Sequence, residues 1–175
     1  MNITYRDLID QTYYFPTEEF DLEGDRLRFH GVSLTDLIER YGSPLKFTYL
    51  PKISQNINRA KDWFAEAMEK HDYPGKYYYC YCTKSSHFRY VLHEALKNDI
   101  HIETSSAFDI DIVENLKAQG LISDRTYVIC NGFKREAYVD NIGRLINEGH
   151  RNCIPIIDNY EELSLLDEVI DQPFK

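Results

Sequence analysis

The chain has 175 residues, with 29 acidic against 20 basic side chains and a formal net charge of −9. That length is enough for one domain with a core, and that charge repels nucleic acid and anionic membranes, so neither is expected as a partner. Hydrophobic residues make up an ordinary 43%, no apolar run is long enough to cross a bilayer, and the opening MNITYRDLID is too polar for a signal peptide.

Residues 1–44 differ in pattern from the rest of the chain. FDLEGDRLRFHGV, residues 20–32, reads as two short strands around the acidic turn Glu23-Gly24-Asp25. Ser33 caps a short helix, LTDLIERYG, which stops at Gly42 with Pro44 just beyond. From Leu45 strands and helices alternate. LKFTYL, residues 45–50, reads as a strand, and residues 53–70 as an amphipathic helix with Ile53, Ile57, Ala60, Phe64 and Met68 at helical spacing. Strands are then expected at 77–82, 100–103, 127–130 and 154–157. The helices between and after them are expected at 87–98, 108–119, 136–148 and from 161.

Alternation of this kind means parallel strands joined by right-handed crossovers. Each strand closes in a polar cluster: Thr83-Lys84-Ser85-Ser86, Glu103-Thr104-Ser105-Ser106, Cys130-Asn131-Gly132 and Asp158-Asn159. In a parallel sheet these all fall at one carboxyl edge. The natural reading is an α/β fold of the (β/α)8 TIM-barrel type, with a doubly wound open sheet as the alternative. A closed barrel takes about 250 residues, and residues 45–175 hold roughly four units. The chain is therefore expected to be the amino-terminal part of a longer protein, with residues 1–44 as a hairpin and helix leading into a partial barrel.

Lys84 is the first candidate for chemistry. Side chains alternate along a strand, so Tyr78, Cys80, Cys82 and Lys84 share one face while Tyr77, Tyr79 and Tyr81 share the other. Small cysteines suit a barrel interior and tyrosines the layer between strand and helix, which aims Lys84 into the barrel mouth. A partly desolvated lysine amine can condense with an aldehyde. A solvated lysine at a strand end is the plainer reading of the same residue. The four cysteines (Cys80, Cys82, Cys130 and Cys153) follow no disulfide or zinc spacing and read as small buried hydrophobes of a cytoplasmic protein. His87 and His93, six apart on the expected helix, point to different faces and make no metal site.

Five stretches resemble one family, in that family's order: YGSPLKFTY (residues 41–49), YCYCTKSS (79–86), IETSSAFDIDIVENL (102–116), VICNGFKREAY (128–138) and IPIIDNYEELSLL (154–166). The family is the fold-type III pyridoxal-phosphate decarboxylases, on an alanine-racemase-like barrel, which act on arginine, ornithine, diaminopimelate or carboxynorspermidine. ICNGFK is most like the biosynthetic arginine decarboxylases. The resemblance implies pyridoxal 5'-phosphate as cofactor and Lys84 as the residue that carries it through a Schiff base. It further implies Glu103, Asp109, Asn131 and Asp158 around the cofactor, a small amino-acid substrate, a role in polyamine biosynthesis and a homodimer when full length. Ser85-Ser86 departs from the family's usual Ala or Val and Asn after the lysine, and the two strand cysteines replace aliphatic residues. Plainer readings stay open: Glu103 as a solvated strand end, Asp109 as a first-turn acid, Asn131-Gly132 as a turn pair, Asp158 as a helix cap.

The leading function is thus decarboxylation of a basic amino acid, with arginine favoured, by an intact protein of which this chain alone is not expected to be active. The alternatives are a racemase or pyridoxal-phosphate carrier on the same barrel, and a non-catalytic half-barrel.

Overall fold

The computed structural model describes residues 19–171. The polar opening decapeptide and the Pro173-Phe174-Lys175 end lie outside the described residues. The chain divides into two compact units after Thr48.

In the first unit β1 (Phe20–Glu23) and β2 (Arg26–Phe29) form the expected antiparallel hairpin, closed at Glu23 opposite Arg26, with Gly24 at φ +67° in its turn. The fold adds a short β3 (Val32–Ser33) beside β2, because His30 and Gly31 both take positive φ and turn the chain back. Ser33 Oγ accepts the Asp36 N–H at 3.2 Å and starts α1 (Leu34–Tyr41). Gly42, at φ +86°, ends that helix by donating its N–H to Ile38 O. The rings of Phe20, Phe29 and Phe47 gather on this small sheet, with centroids 4.9 and 5.2 Å apart.

Residues 45–49, expected as part of a strand, are irregular. Apolar extended sequence becomes a strand only where a neighbouring strand takes up its backbone groups, and no strand among the described residues ladders with this stretch. The second unit opens with α2 (Pro51–Lys70), whose Pro51 sits where a missing N–H costs nothing. Of its apolar stripe only Ile57 is fully buried, and Phe64 instead stacks flat on Tyr77 at 4.1 Å.

Four β/α units complete the fold: β4 (Cys80–Cys82) with α3 (Arg89–Leu96), β5 (His101–Thr104) with α4 (Ala107–Ala118), β6 (Val128–Cys130) with α5 (Glu136–Asn147), and β7 (Cys153–Pro155) with α6 (Tyr160–Val169). The strands are parallel and lie in sequential order β4-β5-β6-β7, without the reversal that marks a doubly wound sheet. Ile102, Thr104, Val128, Cys130 and Cys153 point to the helices and are buried. They pack against Ile110, Val113, Tyr138, Ile142 and Leu166. Tyr79 and Tyr81 face the same way, as their parity predicts, Tyr79 onto Ile57, Ala95 and Ile100. The opposite face carries Cys80, Cys82, His101, Glu103, Ile129 and Ile154 and is only half-buried. Cys82, Glu103, Ile129 and Ile154 stand in one register row across all four strands. Cys80 and Cys82 are therefore not fully buried hydrophobes: their face has no covering layer among the described residues.

Candidate active site

β4 ends at Cys82, so Lys84 lies two residues past the strand, in a turn. Thr83 anchors that turn: its N–H and its Oγ both donate to Glu103 O, at 3.0 and 3.1 Å. Ser85 then donates to Cys82 O through its N–H at 3.1 Å and its Oγ at 2.8 Å. Lys84 is left exposed at the carboxyl edge, its amine engaged by no hydrogen bond or ion pair among the described residues. It lines a cavity of about 370 Å³ with His87, Ser105, Ser106 and Asp109.

Asp109 is buried in the first turn of α4, and its Oδ2 accepts from Ser105 N–H at 2.8 Å, Ser106 Oγ at 3.1 Å and Ser105 Oγ at 3.3 Å. Ser106, at the N-cap, makes no side-chain cap bond, so the acid satisfies the helix start from inside. The arrangement holds the two serines rigidly beside Lys84 and uses their hydroxyl protons.

Glu103 and Asn131 form a second pair. Asn131 Nδ2 donates to Glu103 Oε1 at 3.1 Å, and Asn131 Oδ1 accepts the Gly132 N–H at 2.8 Å. Gly132 takes φ +83°, and a Cβ there would come within 3.3 Å of Ser105 O, so the β5 and β6 loops touch at this glycine. Burial, with the nearby Glu103 carboxylate adding to it, pushes the Cys80 thiol up from its ordinary value.

Asp158 is not part of either group. It is exposed, and the cap of α6 is Asn159, whose Oδ1 accepts the Glu162 N–H at 3.1 Å. Asp158 contributes its backbone N–H, which donates to Glu162 Oε2 at 3.0 Å.

Two arrangements escape a reading of the sequence. Lys134 and Glu162 are both buried and meet at 3.4 Å. Lys134 Nζ also donates to Gly132 O and Ile156 O, while its backbone N–H donates to Glu162 Oε1 at 3.0 Å. Burial opposes the Glu162 charge, but the N–H groups of Asp158 and Lys134 and the Lys134 ammonium outweigh it and hold the carboxyl below its usual range. The lysine of ICNGFK thus ties the β6 and β7 loops together. Beside it the buried Tyr138 hydroxyl meets Thr104 Oγ1 at 2.7 Å and donates to Asn131 O at 3.3 Å. The expectation for His87 and His93 also changes. Helix α3 begins at Arg89, so His87 precedes it, and both histidines line one cavity. Among the described residues no His, Cys, Asp and Glu side chains cluster in a way that would hold a metal ion.

No protein-family model matches the chain. A biosynthetic arginine decarboxylase of Gloeobacter violaceus is 28% identical over 131 residues, covering 71% of this chain and 19% of that protein. The chain therefore spans about a fifth of the length of this curated relative. A diaminopimelate decarboxylase structure from M. jannaschi superposes with a TM-score of 0.68 at 19% identity, over 87% of this chain and 33% of that one. A biosynthetic arginine decarboxylase structure from Campylobacter jejuni gives 0.64 at 19% identity, over 90% of this chain and 28% of the other. The sequence match bears out the resemblance to the fold-type III decarboxylases, and the two structures show a shared fold over part of their length.

Proposed function

We propose that this chain supplies the cofactor-lysine portion of a pyridoxal-phosphate-dependent decarboxylase of basic amino acids, with arginine as substrate. The observation that carries the reading is the placement of Lys84: exposed at the carboxyl edge of β4, unpaired among the described residues, and lining a cavity with Asp109. Arginine rests on the curated relative and on ICNGFK. Ornithine, diaminopimelate and carboxynorspermidine are the alternatives within the family.

The residues present fit the cofactor at its aldehyde end, where a free amine is needed. Pyridoxal phosphate, when bound, accepts the electrons left as the substrate's α-carboxylate departs as CO2. Lys84 would hold the aldehyde through its Nζ and later return a proton from that atom. Glu103, fixed by Asn131, presents a carboxylate on the open face of the sheet, in register with Cys82, two residues before Lys84. Asp109 keeps Ser105 and Ser106 in place along the cavity wall. Asp158, exposed three residues past β7 with its backbone N–H on Glu162, would present its carboxyl group to the cofactor from the β7 side.

The same proposal includes closure of the four strands into a barrel with further β/α units, a homodimer of the intact protein, and a cytoplasmic location. No helix among the described residues is long and apolar enough to cross a membrane.

The test is to incubate the purified chain with pyridoxal phosphate, reduce with borohydride and map the modified lysines by peptide mass spectrometry. Selective labelling of Lys84, absent in Lys84→Ala, supports the reading. If a longer form of the protein, carrying the remaining β/α units, also leaves Lys84 unlabelled, the reading is wrong.

A further inference from the structure

Tyr138 sits in the sealed layer between the sheet and its helices, 3% exposed and in one cluster with Ile110, Val113, Ile142 and Leu166. A phenylalanine ring would fill that space as well, so the hydroxyl is what needs an account. A buried polar group costs stability unless its hydrogen bonds are made. Burial also pushes the phenol above its ordinary value, so it keeps its proton to donate.

That proton goes to Asn131 O at 3.3 Å, and Thr104 Oγ1 meets the same hydroxyl at 2.7 Å. Asn131 O belongs to the trans peptide that joins Asn131 to Gly132. Such a peptide is planar, with its C=O and N–H pointing opposite ways. Fixing the carbonyl from α5 therefore aims the Gly132 N–H away from the helix, where it donates to Asn131 Oδ1 at 2.8 Å. With Oδ1 taken, the amide turns its Nδ2 to Glu103 and meets Oε1 at 3.1 Å. The Asn131 N–H donates to Thr104 O at 3.0 Å and ties the same residue to the neighbour of Glu103. Three hydrogen bonds thus run in series from a buried hydroxyl to a carboxylate on the open face of the sheet.

We propose that Tyr138 is a positioning residue of the candidate site: acting through the Asn131–Gly132 peptide, its hydroxyl orients the Asn131 amide and with it the Glu103 carboxylate. A carboxylate held in this way needs no reordering when a ligand arrives, which is what a preorganised site requires. The bearing of Tyr138 on Lys84 rests on the decarboxylase reading, whereas the relay to Glu103 does not.

The experiment follows the Asn131 side-chain amide resonances of the isotope-labelled chain from neutral pH down through the carboxylate range. In the parent they should move as Glu103 takes up a proton, because that carboxylate is the acceptor. Tyr138→Phe, which removes the hydroxyl and keeps the ring, should lose most of that movement. Ile142→Val loosens the same apolar layer but leaves the hydroxyl, and should keep the parent response. No movement in the parent, a parent response in Tyr138→Phe, or an equal loss in Ile142→Val overturns the proposal. A second arm measures how fast pyridoxal phosphate labels Lys84 ahead of borohydride reduction. The rate in Tyr138→Phe should fall to that of Glu103→Gln, with no further fall in the double variant. A parent rate in Tyr138→Phe, or losses that add, overturns the step from Glu103 to Lys84. A parent in which Lys84 is not labelled counts against the decarboxylase reading, and the amide titration still decides the relay.

Discussion

Asn131 ties the loop after β6 to β5: its amide donates to Glu103 Oε1 at 3.1 Å on β5, while its carbonyl oxygen is held by the Gly132 N–H at 2.8 Å in its own loop. The second contact settles which end of the amide meets the carboxylate. Asn131→Asp would keep the turn and set a second carboxylate against the first. Like charges on neighbouring strands cost about 0.2–1 kcal/mol. A loss of this size at pH 7, fading below about pH 4 as carboxyls take up protons, is expected in urea denaturation. A loss that ignores pH would show that the pair carries no charge effect.

Lys134 and Glu162 are expected to behave as a unit. Breaking a buried ion pair from one side costs about 3–5 kcal/mol, because the other charge is stranded. Glu162→Gln should lose about this much, and Lys134→Met combined with Glu162→Gln should lose clearly less than the two single losses added. A double-mutant cycle by denaturant unfolding reads this directly. Additive losses would mean that the two side chains act separately.

Stability should fall in two stages on acidification. Burial lowers the pKa of His101 and His150, so the unfolded chain binds their protons first as the pH drops below about 6.5. Their contribution is whole above that value and lost as the pH falls through their lower folded values. Glu162, also lowered, adds stability above about pH 4.3 that disappears as the pH falls through its folded value. Denaturation midpoints measured from pH 8 to 3 should show both steps, and His150→Gln should reduce the first.

Lys84→Ala should leave the urea midpoint within about 0.5 kcal/mol of the parent, since an exposed side chain with no partner supports nothing. Loss of cofactor labelling in that variant is then a loss of chemistry and not of fold. A large destabilisation would reveal a structural task for the amine.

Gly132→Ala should cost about 1–2 kcal/mol, the penalty for a Cβ at positive φ, with its contact on Ser105 O added. Thermal unfolding would measure it, and a neutral substitution would show that the β5 and β6 loops do not press on each other.

The order of the strands, their parity and the shared carboxyl edge were legible because they rest on periodicity and turn residues, which are local. Where a neighbour decides, reading failed. Residues 45–50 look like β4 in composition but have no ladder partner among the described residues. Tyr77 and Tyr78 belong to the same apolar run as Cys80 and yet precede the strand. Helix α3 starts two residues later than expected, and that small shift moves His87 onto the cavity that His93 lines. Glu162 gave no signal and Lys134 entered only as the last residue of ICNGFK: each reads as an ordinary surface charge until two loops meet. Lys84 was found from its place at a strand end, and Glu103 and Asp109 through a family resemblance. The contacts that hold the two acids, from Thr83 and Asn131 to Glu103 and from the two serines to Asp109, came from the fold.

The register row Cys82, Glu103, Ile129, Ile154 has a consequence for how the chain can change in length. Inserting one residue within β5 would rotate Glu103 into the helix-packed layer and Ile102 onto the open face. Residues gained or lost between strand and row are therefore far costlier than the same change at the opposite rim, as in residues 119–126, where the chain only has to return to the start of a strand. Room to evolve sits at the amino edge, and the carboxyl edge is locked to its count.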